Sequence, residues 1–594
     1  MYISKNIKTW FLISFCISLA LPTVAGDEIW EEPLKKFIEV ERQKWDVPGL
    51  AVAVVKDGGV VFSEGFGYRN LEKKLPATSD TLFAIGSCSK AITATAMAIL
   101  VDQGKVSWTD RVSHHLPGFR LKDEFATARM TPIDLMCHRS GLPRHDLMWY
   151  GSDFTREELF QRLQYLEPSE DFRTVFQYNN LMFMTAGYLI GHASGGSWET
   201  FVSQYLLKPL DMTRSNFSVD ISQKDDNYSL PYEKEDGKIQ AVPFRVIDAV
   251  GPAGSINSSV NEMANWVLMN LAKGKWDQST VVSEENLGQV HTPQITTGGA
   301  HRHPELSYGG YALGWAANTY RGHHYLSHGG GIDGFISKVG FFPRDGFGYV
   351  VLTNSGTDGS PFSETVARHI MDLVLEKEPV DWSGRFKKEM EKPEEAKKEG
   401  DEGEQGDEGR IANTSPSHGL NAFLGEFNNP GYGVATVTRT QEGLNLKFHS
   451  FLIPLEHWHY NVFNATDKVF DGQKVSFLSG EDGHINSLSM SLEAAVDPVV
   501  FTKLAPSKLK DPQYLAQLVG EYDLNGVLTK IRQEPSGLVL KIEGQPLYHL
   551  EAFVPDEFKV KSLKGFTIRF NRENNVVVSL TSVQPNGSFV AKKK

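Results

Sequence analysis

Apolar positions recur at three- and four-residue spacing over residues 29–45, the period of one helix face, and the pattern stops before Val47-Pro48-Gly49. Two apolar runs follow, 50–55 and 60–66, separated by Lys56-Asp57-Gly58-Gly59, which predicts a β-hairpin. An Ala/Thr-rich helix is predicted after Phe83-Ala84-Ile85-Gly86, and mostly helical patterns extend to about residue 272. Strand-like runs return at 325–327, 335–342 and 349–353. Turns separate them at Gly331-Ile332-Asp333-Gly334 and Pro343-Arg344-Asp345-Gly346, and a helix over 363–376 closes this part. Strands at both ends with helices between them predict an α+β domain: one antiparallel sheet built from both termini, flanked by helices, with a helical insert.

Residues 387–410 are mostly Lys, Glu, Asp and Gly without apolar periodicity. Such a stretch cannot bury enough surface to offset its ordering entropy, so 384–416 reads as a charged flexible linker. Ion or mineral binding by its acidic residues is the competing reading. Beyond it the chain repeats itself. Leu424-Gly425-Glu426-Phe427 is echoed by Val519-Gly520-Glu521-Tyr522, Gly443-Leu444-Asn445-Leu446-Lys447 by Gly537-Leu538-Val539-Leu540-Lys541, and Pro454-Leu455-Glu456-His457 by Pro546-Leu547-Tyr548-His549. The three offsets fall between 92 and 95 residues and keep one order. Both copies alternate apolar and polar residues in short runs, which predicts two small antiparallel β-barrel-like domains at 417–506 and 507–594.

Length and composition narrow the class. A chain of 594 residues holds several domains, and 40% hydrophobic with 11% aromatic residues is enough for real cores. The net charge of −13 disfavours nucleic acid as a partner. At the start, Lys5 and Lys8 precede an apolar run over 10–21 and the small residues Ala25 and Gly26, so 1–26 reads as a secretory signal peptide and the mature chain as secreted, periplasmic or extracellular. An uncleaved anchor is the alternative, but the run is short for a span of about 20 residues. No later segment is apolar enough for stable membrane insertion. The mature chain keeps Cys88 and Cys137, as buried thiols or as one bridge. Asn-x-Ser/Thr triplets start at Asn216, Asn227, Asn257, Asn413, Asn464 and Asn586, and a eukaryotic secretory pathway would glycosylate some of them. The oligomeric state is not legible.

The chemistry sits in four motifs. Ser87-Cys88-Ser89-Lys90 places a hydroxyl and an amine at i and i+3, on one helix face. A serine hydroxyl is a weak nucleophile until a neighbour takes its proton, and a desolvated amine can do so. Thr131-Pro132-Ile133-Asp134 to His138-Arg139-Ser140-Gly141-Leu142 is a helix and turn in which His138 reads as a packed or capping histidine. Tyr178-Asn179-Asn180 offers a phenol to share the serine's proton and an amide for a substrate carbonyl. His328-Gly329-Gly330 supplies a glycine-lined strand edge that lets a substrate approach closely.

In this order, Ser-x-x-Lys, Tyr-x-Asn and His-x-Gly resemble the class C β-lactamase and D-alanyl-D-alanine carboxypeptidase superfamily of serine hydrolases, over roughly residues 30–380. The two C-terminal repeats resemble the lipocalin-like modules found behind some β-lactamase-related domains. The resemblance implies a β-lactamase/transpeptidase-like fold over 27–383 and double displacement on a small acyl substrate: an ester, a D-amino-acid amide or a β-lactam. Ser87 would attack, Lys90 and Tyr178 would manage its proton, and Asn180, His328, Gly330 and Gly331 would bind substrate. The oxyanion hole would be the N–H groups of Ser87 and Gly331. No metal or organic cofactor is implied. Relatives usually carry Lys-Thr-Gly where this chain has His328-Gly329-Gly330, and a histidine carries charge only part of the time near neutral pH.

Other readings compete. His328-Gly329-Gly330-Gly331 also looks like a lipase oxyanion loop, but the Gly-x-Ser-x-Gly elbow of that fold is missing. His301-Arg302-His303 and His323-His324 lack the helix motif of a metal site and read as loop and strand residues. From a different class, a secreted scaffold that keeps the hydrolase fold without its activity would fit the appended modules and the charged spacer.

Overall fold

The computed structural model describes residues 28–298, 303–400 and 409–594. The expected signal peptide, His301, Arg302 and the 401–408 part of the expected linker lie outside the described residues. Helix α1 (Glu28–Lys44) leads into the hairpin of β1 (Gly49–Lys56) and β2 (Gly59–Asn70). The chain then leaves the sheet for the helical insert, centred on α2 (Ser89–Asp102) and α3 (Asn180–Ser194). It returns through β3 (Leu306–Tyr311), β4 (Ala316–Tyr320), β5 (His323–Ile332), β6 (Phe335–Phe342) and β7 (Phe347–Thr353), and α4 (Gly359–Val374) follows. The nine-stranded sheet runs Ile295–Thr296, β3, β4, β5, β6, β7, β1, β2, Leu75–Pro76. The two termini therefore meet at β1 and β7, where Leu50 pairs with Thr353 and Val54 with Tyr349 in antiparallel register.

Strand periodicity explains why this central pair is buried on both faces. Ala51, Ala53 and Val55 join the core under the insert, whereas Leu50, Val52 and Val54 join a second core with Leu34 and Ile38 of α1 and Phe362 and Val366 of α4. Between sheet and insert, the carboxylate of Asp134 is fully buried. It accepts from the Thr131 hydroxyl, from Arg139 Nε at 2.7 Å and from Arg173 Nε and Nη2 at 2.9 and 2.7 Å. Those contacts pin the segment carrying His138 to the one leading into Tyr178.

Several expectations are corrected. Strands β3 and β4 lie in a region that carried no strand pattern, and β5 extends through Gly331 and Ile332, leaving only Asp333-Gly334 as the turn. The insert also contains a small hairpin, Tyr232–Glu235 with Lys238–Ala241. Helix α5 (Trp382–Gly400) occupies the first half of the expected structureless linker. Its anchor is Trp382, buried against the second core, with the guanidinium carbons of Arg368 and Arg385 3.9 and 4.7 Å from its ring centre. Both remaining cysteines are buried free thiols. Asn257 is 2% exposed, so its triplet cannot carry a glycan.

Each C-terminal repeat closes into an eight-stranded antiparallel barrel, 425–503 and 520–593, and the repeated landmarks fall on equivalent strands. The barrels differ in attachment. The first shares one continuous apolar cluster with the insert and grips the 145–154 loop. His145 Nδ1 meets the Tyr432 hydroxyl at 2.7 Å, the Ser450 N–H donates to Gly151 O at 2.9 Å, and Phe451 stacks on Tyr150. The second barrel has its own core and touches the first through Lys559–Asp482 at 3.0 Å and Phe553 against His484. No described helix is long and apolar enough to cross a membrane.

Burial alone would raise the Asp134 pKa, but Arg173, Thr131 and Arg139 outweigh it and hold the carboxyl below its ordinary range. A depressed acid stabilises the fold above its unfolded pKa, and that contribution fades as pH falls through the lower folded value. Asp134→Ala strands two guanidinium groups and should cost about 3–5 kcal/mol. Urea unfolding at pH 7 would measure this as an earlier first transition; a shift below about 1 kcal/mol would contradict the role given to this carboxylate.

Candidate active site

Ser87 sits in a single 3-10 turn, Gly86–Cys88, that opens directly into α2. The turn lies hard against the end of β5. Gly86 has φ +49°, and a Cβ there would come within 2.7 Å of the Gly331 nitrogen, so only glycine allows this approach. Gly330 meets the Ile85 carbonyl in the same way. The contact is fastened by Ser337 Oγ, which donates to Ile85 O at 2.7 Å, and by Cys88 Sγ, 3.2 Å from Ser337 Oγ. Burial pushes the Cys88 thiol up to about 11, so it packs as a thiol and does not compete as a nucleophile.

Lys90 lies one turn further along and is completely buried. Its Nζ is 2.7 Å from Asn180 Oδ1, 2.8 Å from Ala253 O and 3.1 Å from Ser87 Oγ. Burial drives the amine well below its ordinary range; Asp146 opposes this and Arg144 adds to it. A neutral amine has two N–H bonds and one lone pair. The two carbonyl oxygens can only accept, so they take both hydrogens, and the lone pair is left facing the Ser87 hydroxyl. That is the arrangement a general base requires.

The orientation of Asn180 is set by a residue that motif reading missed. Asn180 is the first residue of α3, after the Asn179 N-cap, whose side chain accepts from Met182 N–H. Its Nδ2 donates to Asp146 Oδ1 at 2.9 Å, so Oδ1 must turn to Lys90. The amide expected to bind substrate is thus engaged on the lysine. Asp146 in turn accepts from Trp149 Nε1 and Arg144 Nε. No spacing in the sequence marks it, because the partner that gives it a role, Asn180, lies on another element.

Tyr178 meets the site from the other side, with Lys90 Nζ 4.8 Å from its ring centre. Burial raises its pKa well above the ordinary phenol value, and Ser87 only partly offsets this, so it stays protonated. His138 packs beneath it with ring centres 4.2 Å apart, and its Nδ1 accepts from the Asn179 N–H at 3.0 Å. The packed-histidine reading thus matches the geometry.

His328 departs from expectation. Its Nδ1 lies 2.6 Å from Gly329 O, an acceptor only, and therefore carries the proton. Nε2 then accepts from the Tyr311 hydroxyl at 2.8 Å. Burial, helped by the nearby Lys90, lowers its pKa to about 3. The ring expected to be charged part of the time is neutral throughout the neutral range and spends both nitrogens inside the protein. Tyr311, its partner, opens the stretch Tyr311-Ala312-Leu313-Gly314-Trp315 that fits the family, but the sequence assigned it no role at the site.

One further chain of contacts reaches the site from the first barrel. Tyr150, under Phe451, donates to Asp333 at 2.8 Å, and Arg245 Nε holds the same carboxylate at 2.8 Å. Asp333 stands in the turn two residues after Gly331. Alongside runs a groove of 390 Å³ lined by Trp149, Phe154, Phe244, Ile247 and Ser450. Among the described residues no group of three or more His, Cys, Asp or Glu could hold a metal ion.

Comparison with known proteins agrees with this geometry. Residues 37–371 match the family described as Beta-lactamase, and residues 409–503 match a Domain of unknown function (DUF3471). The protein named Unguisins hydrolase ungD' from Aspergillus campestris is 28% identical over 436 residues, 69% of this chain and 79% of that protein. Unguisins hydrolase ungD from Aspergillus violaceofuscus is 30% identical over 335 residues, 52% of this chain and 59% of that protein. The octameric penicillin-binding protein homologue from Pyrococcus abyssi superposes with a TM-score of 0.52 at 22% identity, covering 79% of this chain and 99% of that one, which shows the shared fold.

The amine's lowered pKa sets the acid limb of Ser87 reactivity. Protonation as pH falls through that value removes the base, so acylation should fade on the acid side. Asp146 raises the Lys90 pKa, so Asp146→Asn should move the limb to lower pH. The second-order rate of fluorophosphonate labelling against pH would check this; a limb that stays put or moves upward contradicts it.

Proposed function

The chain belongs to the Beta-lactamase family, whose members include serine hydrolases of the β-lactamase and penicillin-binding-protein type, and we propose that it is a secreted hydrolase that cleaves neutral esters or amides through an acyl-enzyme on Ser87. The observation that carries the proposal is the buried, uncharged Lys90 amine 3.1 Å from the Ser87 hydroxyl, with both its hydrogens already held. Ser87 passes its proton to Lys90 as Oγ adds to the acyl carbonyl. The oxygen that gains charge turns toward the backbone N–H groups of Ser87 and Gly331, brought together by the Gly86–Gly331 contact. One such donor contributes on the order of 3 kcal/mol of transition-state stabilisation. Tyr178, kept protonated by burial, gives its proton to the leaving group and takes back the one held by Lys90, and water then releases the acyl group from Ser87.

Substrate preference follows from the third motif. A lysine there would present a fixed cation to a substrate carboxylate; His328 is neutral and bonded to Tyr311 and Gly329. That favours acyl donors without a carboxylate over β-lactams, which bear one. The 390 Å³ groove sets apolar Trp149, Phe154 and Phe244 beside charged Asp153, Arg245 and Asp248, a mixed wall for the part of a substrate that extends away from Ser87. Two relatives that carry the name Unguisins hydrolase support hydrolysis as the reaction. Export rests on the signal-like residues 1–26.

Incubation with a fluorescent fluorophosphonate and a fluorescent penicillin, followed by an ester, amide and β-lactam panel, tests the proposal. Ser87→Ala should lose all labelling and turnover, Lys90→Met and Tyr178→Phe should lose about 10²–10⁴ in rate, and His328→Ala should lose less than either. Labelling that survives Ser87→Ala, or none with any probe, rejects the hydrolase and favours the scaffold; β-lactams turned over faster than esters and amides reject the stated preference.

A further inference from the structure

The reverse of the strand that carries the third motif holds a second, separate cluster of charges. Residues alternate along β5, so His328 faces the Ser87 side while Ser327 and Gly329 face α4. Gly329 pairs with Lys338 of β6, and because Gly329 has no side chain, space is left beside the lysine. The result is a cavity of 320 Å³ between the sheet and α4, lined on its polar side by Ser327, Asn318, Lys338, Glu364 and Arg368. None of these residues takes part in the chemistry assigned to Ser87.

The charges in this cavity do not balance. Glu364 is shared between two cations, with Lys338 Nζ at 2.7 Å from one oxygen and Arg368 Nε at 2.8 Å from the other. That leaves one excess positive charge in a mostly buried recess, Lys338 and Glu364 each 19% exposed at the side chain, where a lone charge is costly. Arg368 is only 8% exposed, and its Nη1 has no hydrogen-bond partner among the described residues. Stacking over Trp382 at 3.9 Å fixes the guanidinium plane. A guanidinium with an unused donor, an ammonium with one acceptor, and the hydroxyl of Ser327 together describe a receptor for a single negative charge. Leu306, Ala316 and Tyr325 give the lining an apolar side, and Tyr311, His328 and Gly329 complete it where the cavity backs onto the strand of the third motif.

We propose that this cavity binds a small organic carboxylate, its head between Lys338 and Arg368 and its short aliphatic tail against Leu306 and Tyr325. A monoanion matches the one uncompensated charge, and the planar fork of arginine matches a carboxylate. The ligand would lie directly behind Gly329. This inference does not depend on turnover at Ser87.

Calorimetric titration of the full chain at fixed ionic strength, with butyrate, butyramide and inorganic phosphate as probes, tests it. Saturable binding of butyrate, none of butyramide and at least tenfold weaker binding of butyrate to Lys338→Met are expected, since Lys338 has no contact with the Ser87 side. Butyramide binding as well as butyrate, no saturation, or an unchanged affinity in Lys338→Met would overturn the site. Phosphate binding more tightly than butyrate would overturn the carboxylate assignment. Should Lys338→Met not fold, a bromide-soaked crystal of the unaltered chain must show anomalous density between Lys338 and Arg368, and a blank map there is equally fatal.

Discussion

A lysine amine without water must lose its charge or find a counter-charge within reach, and most of the catalytic domain is arranged so that Lys90 does the former. Its two hydrogens go to Asn180 Oδ1 and Ala253 O, which fixes where α3 begins and how closely the 251–254 turn approaches α2. Asn180 presents its oxygen because Asp146 takes its nitrogen, and Asp146 is in turn steadied by Trp149 and Arg144. From one uncharged nitrogen the requirements spread across three segments that are far apart in the chain. The only electron pair left over points at Ser87.

The strand opposite is organised by closeness rather than by charge. Gly86 and Gly330 let two pieces of backbone touch where side chains would hold them apart. Cys88 and Ser337 then lock that contact from within the core. The side chain at position 328 on this strand joins Tyr311 in an internal hydrogen bond. A neutral histidine at this place puts no fixed charge on the strand edge beside Ser87.

Much of this was legible in the chain as a string of residues, and the exceptions have a common cause. Ser87 and Lys90 were visible because helix geometry alone brings positions three apart together. Strand β6 and the two barrels were visible because apolar alternation and repeated landmarks are local. Strands β3 and β4 escaped because Gly309-Gly310 and a run of small or polar residues carry no alternation; they are strands by virtue of the neighbour they pair with. Helix α5 escaped because its stability comes from Trp382 seated under two arginines, a contact made by α4 and by α5 itself rather than by periodicity. Asp146 and Tyr311 escaped for the same reason: each acquires a role only from a partner on another element.

The two barrels share an ancestry of sequence but not a physical status. The first has no apolar boundary with the insert, since Phe448, Phe427 and Leu446 belong to the same cluster as Leu159 and Phe183. The second keeps its core to itself and leans on its twin through two ion pairs, Lys559–Asp482 and Lys564–Glu481, and the contact of Phe553 with His484. On heating, the first barrel and the hydrolase domain must therefore melt as one cooperative body, while the second can come apart and re-form with the remainder intact. Counted by thermodynamics, what looks like one domain followed by a tandem duplication is a large unit with a small one tethered to its end.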